Sequence, residues 1–145
     1  MKNYTSTVPA TTSMALVEKA LVHAGATHIS KAYEQEQVVG FYFQFVINGI
    51  PVAYRLPVKV KAVHDAMERG YARPDKIDQN RLWAQAARTA WKILYDWILV
   101  QLSMMEMEQA LPMEIFLPYA LMPARDETVF EVFQSSGFKQ LEAPK

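Results

Sequence analysis

Apolar positions between residues 78 and 108 recur at spacings of three and four, which is typical of one face of an α-helix. The segment contains neither Gly nor Pro and is rich in strong helix formers. At ~1.5 Å per residue, an unbroken helix of this length would extend about 45 Å. The pattern therefore predicts a long central helix, capped by either Asp75 or Asp78. Its apolar face comprises Trp83, Ala87, Ala90, Leu94, Ile98, Leu102 and Met105.

A second pattern, in which apolar and polar residues alternate between residues 38 and 56, predicts a β-hairpin. The dipeptide Asn48-Gly49 lies at its centre, and both residues tolerate the positive φ angles of a two-residue type I′ turn. With this turn, Phe43 pairs with Tyr54. One face of the hairpin is then apolar, and we expect the long helix to cover it. That face comprises Phe41, Phe43, Phe45, Ile47, Ile50, Val52, Tyr54 and Leu56.

Shorter segments complete the prediction. They are a helix over residues 14–24 capped by Ser13, a weak strand over 27–33, a helix that begins at Pro57 and ends near Arg69, an extended piece over 114–117, and a last helix that begins at Asp126 or Thr128. The predicted class is α+β, with a small antiparallel three-stranded meander packed against the long central helix and three shorter helices. We expect residues 1–12 to form a flexible N-terminal arm and residues 13–145 a single domain.

Composition narrows the functional classes. The 145 residues include 15 Lys and Arg, 15 Asp and Glu, and no Cys. Disulfides, thiolate catalysis and Cys-based metal sites are therefore excluded. The net charge does not by itself indicate a nucleic-acid or membrane partner, although it does not exclude a local patch of positive charge. The amino-terminal residues lack the apolar run of a signal peptide, and no segment has the length of a membrane span, so we expect a cytoplasmic protein without a membrane partner.

Two groups of residues are candidates for binding nucleic acid. Arg81, Arg88 and Lys92 share one side of the long helix, with Trp83 close in sequence. Cations and aromatic rings together can hold phosphates and stack bases. The more frequent explanation is a solvated helix face with Trp83 in the core, and Lys92 also forms a simple i,i+4 pair with Asp96.

The open face of the sheet forms the second group. Tyr42, Gln44 and Arg55 alternate with the apolar residues, and Lys31 of the first strand could join them. An exposed sheet face with Tyr and Arg is one way to hold single-stranded nucleic acid. Ordinary solvent exposure explains the same residues.

Methionines concentrate after the long helix, and Met104, Met105 and Met107 are candidates for contacts with a protein partner. Met-rich surfaces adapt to several partners, although core filling is more common. The second half of the long helix is apolar nearly all round, which favours burial on most sides. We therefore expect a homo-oligomer.

No catalytic, metal or cofactor pattern is present in the sequence. His23, His28 and His64 do not share ligand spacing with one another or with acidic residues, so surface or capping roles are expected for them. The five glycines are scattered and form no phosphate-binding loop. We predict no catalytic residues, no metal and no cofactor.

The segments RTAWKILYDWILVQLSMMEM, MEIFLPYALMP and TVFEVFQSSGF, together with the NG hairpin and the following YRLP, resemble a family of small, mostly uncharacterised proteins of tailed phages and prophages. The resemblance covers roughly residues 14–138, and residues 116–119, FLPY, are its most specific part. It implies a viral origin and a non-structural accessory role, with no catalytic residues to carry over. The leading hypothesis is a non-enzymatic accessory protein that binds nucleic acid, in single-stranded form, in viral DNA metabolism. The alternative is a protein-interaction module, such as an inhibitor of a host enzyme or a subunit of a phage assembly.

Overall fold

The computed structural model describes residues 5–145, except for the side chain of Pro74. Its helices and strands are α1 (Ala10–His23), β1 (His28–Glu34), β2 (Gln37–Ile47), β3 (Ile50–Arg55), α2 (Val60–Arg69), α3 (Gln79–Glu106), α4 (Pro112–Phe116) and α5 (Val129–Ser135). Short 3-10 turns cover Pro74–Lys76, Leu117–Tyr119 and Lys139–Leu141. The strands form one antiparallel sheet in the order β1-β2-β3. The predicted α+β class and the three-stranded meander are confirmed.

The chain divides into two compact units, each made of two separate stretches. Unit 1 contains the residues up to Ala24 and Pro57–Ser103, and so holds α1, α2 and nearly all of α3. Unit 2 contains Gly25–Leu56 and Met104–Lys145, and so holds the sheet, α4 and α5.

The β2–β3 hairpin of unit 2 has the predicted turn. Asn48 has φ 52° and Gly49 has φ 81°, which are the left-handed values that a two-residue turn of this kind requires. Phe43 pairs with Tyr54 as predicted, and the same register makes Ile47 the partner of Ile50. At the end of the hairpin, Ile50 is exposed, so the buried part of the apolar face stops short of the turn.

Four aromatic rings form the core of unit 2. The Phe43 ring stacks on Tyr54 with a centroid distance of 5.0 Å and meets Phe116 edge-on at 5.4 Å. Phe45 lies 5.5 Å from Phe43, also edge-on. The Tyr54 hydroxyl donates a hydrogen bond to the Met113 sulfur at 3.0 Å. Residues of α4 therefore cover the part of the apolar face that is formed by Phe43, Phe45 and Tyr54.

The long helix α3 is unbroken, as predicted. Its 28 residues correspond to about 42 Å of helix. The sequence predicted either Asp75 or Asp78 as its N-cap. In the structure the cap is Asp78, whose carboxylate accepts a hydrogen bond from the backbone N–H of Asn80 at 3.0 Å. The buried face of its first turns differs from the prediction, because Leu82 and Ala86 are buried where Trp83 and Ala87 were expected.

The shift of this face has a local cause, which is the packing of α2. Met67 of α2 forms a buried cluster with Leu82 and Ala86, and partly buried apolar residues extend it. Those residues are Val60, Val63 and Ile77. Helices α2 and α3 thus share a buried apolar contact. The residues that flank this contact are the ones that unit 1 exposes to solvent on this side.

Two helix starts differ from the prediction. α1 begins at Ala10, so residues 10–12 are helical and not part of an arm; residues 1–4 of that predicted arm lie outside the described residues. Ser13 is therefore buried inside the helix, in one stripe with Val17 and Leu21, and does not cap it. α2 begins at Val60, three residues later than predicted from Pro57, because Leu56 continues the pairing of the sheet by bonding to the carbonyl of Phe41.

The segment predicted to be extended is helical. α4 begins with Pro112 at its first position, where the missing N–H costs nothing. The Glu114 carboxylate reaches back to the backbone N–H of Leu111 at 2.9 Å and supports this first turn. The last helix is capped by Thr128, one of the two predicted starts, in a full capping box with Glu131.

Candidate functional site

The cationic stripe of α3 consists of Arg81, Arg88 and Lys92, whose spacing places them on one side of the helix. Arg81 is exposed, and among residues 5–145 no acidic side chain pairs with it. Arg88 donates to the Gln85 side-chain oxygen at 2.7 Å and to the Ser6 carbonyl at 3.3 Å. Both acceptors are neutral, so Arg88 is held in place with its positive charge uncompensated.

Lys92 differs from the two arginines, because it has an acidic partner. Its ammonium lies 2.9 Å from the Asp96 carboxylate and 5.2 Å from the centroid of the Tyr95 ring. This is the i,i+4 pair that the sequence predicts. The stripe therefore carries two uncompensated charges and one paired charge.

Trp83 lies on a different side of α3 from the stripe, since it follows Arg81 by only two residues. Its ring stacks on the imidazole of His64 in α2, with centroids 3.9 Å apart and planes within 11°. Even with one ring face covered, the residue is 39% exposed. The structure therefore separates the tryptophan from the cations with which the sequence grouped it.

The role predicted for His64 is wrong. A surface or capping role was expected, yet only 5% of the residue is exposed. One ring nitrogen lies 2.9 Å from Asp65 Oδ1 and the other 2.9 Å from Gln79 Oε1, while the Gln79 amide donates to Glu68 at 2.8 Å. The residue falls beside the apolar positions 60, 63 and 67 of α2, and that spacing was the available signal.

The hydrogen bonds of this network shift the pKa values of His64 and Asp65 in opposite directions. The hydrogen bonds with Asp65 and then with Gln79 favour the protonated ring, and they raise the pKa of His64 against the opposing effect of burial. The pKa of the Asp65 carboxyl is lowered, first by its hydrogen bond with Lys61 at 2.7 Å and then by His64. The network therefore favours the protonated, positively charged form of the imidazole that stacks on Trp83.

The open face of the sheet presents Tyr42, Gln44 and Arg55, as predicted, but the charge of Arg55 is balanced. Its guanidinium pairs with Glu131 and lies 3.6 Å from Asp126. The pKa of Glu131 is lowered, chiefly by the hydrogen bond from the Thr128 backbone and also by Arg55. A phosphate at this position would have to compete with two carboxylates.

A shallow cavity of about 220 Å³ lies on the same open face. The Tyr42 ring extends over Gly40, where an added Cβ would lie 2.8 Å from the ring, so a larger residue at that position would require the ring to move. Lys31 does not join this face. It pairs with Phe41 and its ammonium lies 5.8 Å from the centroid of that ring. The cavity is lined by His28, Ser30, Tyr42, Phe43, Gln44, Ala53 and Leu121.

The three methionines proposed for partner contacts are not equivalent. Met104 and Met105 are half-buried, whereas Met107 is exposed just beyond the end of α3. A second exposed apolar set lies at the carboxyl-terminal end of the same unit. There, the rings of Phe130 and Phe138 are 5.8 Å apart, and Leu141 is exposed.

Charge is divided unevenly between the two units. The stretches that form unit 1 contain ten Lys and Arg against six Asp and Glu. Those that form unit 2 contain five against nine. The balanced total thus combines a basic unit, which holds the cationic stripe and Trp83, with an acidic unit, which holds Tyr42 and Arg55.

Within the described part of the chain, no three His, Asp or Glu side chains come together in a way that could hold a metal ion. None of the helices described is both long and apolar enough to cross a membrane. Comparisons with protein-family models, curated proteins and solved structures found no match for this chain.

Proposed function

We propose that this chain is a non-enzymatic accessory protein of phage type that binds single-stranded nucleic acid through unit 1. The observation that carries the proposal is the excess of positive charge in unit 1, with exposed or neutrally bonded arginines on α3. Phosphate contacts dominate the affinity of nucleic-acid-binding proteins. The resemblance to tailed-phage proteins supports a viral origin and a non-structural accessory role, and the proposal places that role in viral DNA metabolism in the host cytoplasm.

Arg81 and Arg88 are the primary phosphate contacts in this proposal. The neutral hydrogen bonds of Arg88 fix its side chain and leave its charge available to a phosphate. Lys92 contributes after exchanging Asp96 for a phosphate, and partly exposed ion pairs of this kind contribute only about 0–1 kcal/mol. Tyr42 and Arg55 are secondary candidates, because they belong to the acidic unit.

The test is the double substitution Arg81→Glu and Arg88→Glu, with affinity measured by fluorescence anisotropy on a labelled oligothymidylate at low salt. We expect the affinity to fall at least about tenfold, because two favourable phosphate contacts become repulsive. The slope of log K against log salt should become shallower by about 1.4, since each phosphate contact contributes about 0.7 for a single strand.

The matched control reverses two exposed cations of unit 2, Arg125→Glu and Lys139→Glu. It changes the net charge by the same amount and should leave affinity within about twofold, because binding depends on the location of charge. Absence of binding by the wild-type protein at low salt, or equal losses in both double variants, contradicts the proposal.

The second candidate is a protein-interaction module that acts through unit 2. It is favoured by the exposed apolar set of Phe130, Phe138 and Leu141, since contiguous exposed apolar surface is typical of protein contact sites. Met107 would add an adaptable side chain at another edge of the same unit.

The homo-oligomer expected from the sequence could use the same apolar surface, and it predicts self-association, which sedimentation velocity measures at protein concentrations from about 1 to about 100 µM. Substituting Phe130→Ser and Leu141→Ser should shift the distribution toward monomer, because the apolar contact area is removed. Val22→Ser, an exposed apolar position of unit 1, is the control. A wild-type protein that stays monomeric over the whole range contradicts the homo-oligomer.

A further inference from the structure

Trp83 combines two properties that a core tryptophan does not have together. One ring face is covered by a parallel imidazole at 3.9 Å, and the residue as a whole is still 39% exposed to solvent. Accessible indole is a large apolar surface that is usually buried or in contact with a ligand. The Trp83 side chain is thus a candidate for contact with a flat ligand.

The imidazole beneath it is held rigidly. His64 uses both ring nitrogens in hydrogen bonds, one to Asp65 on its own helix and one to Gln79 on α3. Gln79 is in turn bonded to Glu68, which ties the two helices together on this side. Rotation of Trp83 away from this position would lose the stack, so the ring is preorganised, and a ligand pays little entropy to order it.

The connection from α2 to α3 supplies charge close to this stack in the chain. We define the basic connection as Arg69, Arg73 and Lys76; all three are exposed, and none is paired with an acidic side chain in the region that the structure describes. Arg69 is the last residue of α2, and two residues separate Lys76 from the start of α3. Exposed Tyr71 lies between them in the chain.

We infer that the exposed surface of Trp83 stacks on a base of single-stranded nucleic acid, while the basic connection holds the neighbouring phosphates. The inference rests on the proposed function and assigns a contact that the stripe of α3 does not include. Stacking on an aromatic ring tolerates any base, because every base has a flat π-face. The site therefore takes single strands without sequence preference, and a duplex, whose bases are already stacked, should bind more weakly.

The acids in this region are fewer than the cations or are engaged in hydrogen bonds: the connection between α2 and α3 also carries the exposed acids Asp75 and Asp78, against its three cations. Asp65 is engaged by His64 and Lys61, and Glu68 accepts from Gln79. The hydrogen bonds of His64 favour its protonated form, and a charge on that imidazole would lie under the indole ring, which is compatible with a polyanion above it.

The test compares Trp83→Phe and Trp83→Leu with wild type on two labelled strands of equal length, an oligothymidylate and an abasic strand of the same backbone. Trp83→Leu should weaken binding of the oligothymidylate about tenfold or more and leave the abasic strand within about twofold, because only the base contact is lost. The affinity of Trp83→Phe, which keeps a ring over His64, should lie between the affinities of wild type and Trp83→Leu. Wild-type tryptophan emission should be quenched by the oligothymidylate, and most of that quenching should disappear in Trp83→Phe.

The outcomes separate this inference from the proposed function. If Trp83→Leu, shown to be folded by circular dichroism, binds both strands as wild type does, the stacking site is wrong and the phosphate contacts of α3 stand. If it weakens both strands equally, the role of Trp83 is structural and the inference again fails. If wild type binds neither strand at low salt, both proposals fall together. The double substitution Arg73→Glu and Lys76→Glu should weaken the binding of both strands to the same extent. If affinity does not fall, the basic connection is not part of the site.

Discussion

Replacing Phe43 with alanine is expected to lower the free energy of unfolding by about 3–5 kcal/mol, which is the range for deleting a buried phenyl ring. Phe43 is buried, and its ring contacts those of Phe45, Tyr54 and Phe116 within 5.5 Å. A cavity at this position touches three other rings, so collapse around it would have to disturb them all. Urea denaturation monitored by far-ultraviolet circular dichroism measures the change.

Two controls accompany this substitution. Val46→Ala, at an exposed position of the same strand, should cost less than about 1 kcal/mol, since little apolar area is lost. Tyr54→Phe keeps the ring and removes only the hydrogen bond to Met113, so its cost should be about 1 kcal/mol. A Phe43→Ala cost no larger than that of Val46→Ala would contradict a core built on this ring cluster.

Stability should fall as the pH rises from about 6.5 through the raised pKa of His64. The folded protein binds this proton more tightly than the unfolded chain does, because Asp65 and Gln79 accept hydrogen bonds from the ring. The stabilisation is therefore fully present below the unfolded pKa and is lost above the folded one. Chemical denaturation at a series of pH values between about 5.5 and about 8.5 measures it, which is from about one unit below to about two units above the unperturbed pKa.

The substitution His64→Phe keeps a ring against Trp83 and removes both hydrogen bonds. It should cost about 1–3 kcal/mol at pH 6, and the loss relative to wild type should shrink as the pH rises. His23→Phe is the control, because His23 is exposed at the end of α1. Asp65 and Glu131, whose pKa values are lowered, act in a separate acidic window below about pH 4, where their stabilisation is lost as the pH falls. Equal pH slopes in wild type and His64→Phe would contradict the assigned direction.

The features that local chemistry determines were predictable. The Asn48-Gly49 turn fixed the pairing of two strands, since few other dipeptides accept positive φ at both positions. The 28-residue α3 followed from periodicity and the lack of Gly and Pro. Thr128 was one of two starts offered for the last helix, and its hydroxyl accepts the N–H of Glu131 as a capping residue should.

Other features depend on partners that are distant in the sequence or on register. A bulge between Ala32 and Tyr33 shifts the register of β1, and a one-residue shift moves a side chain such as Lys31 to the opposite face. His64 became buried because Gln79 and Trp83, 15 and 19 residues later, complete its surroundings. The candidate interface was therefore only partly predictable. The cations of α3 were predictable from the sequence. Their separation from Trp83 and the neutralisation of Arg55 by Glu131 became visible only in the three-dimensional structure.

The order of the chain has a consequence for biosynthesis. Unit 2 is assembled from two stretches, so the ribosome delivers the sheet, residues 28–55, well before Phe116 of α4. Until some 60 further residues have emerged, the nascent hairpin carries its phenylalanines without the ring that later covers them. Because exposed apolar strands are prone to association, this interval is when a growing chain would gain most from a holding chaperone.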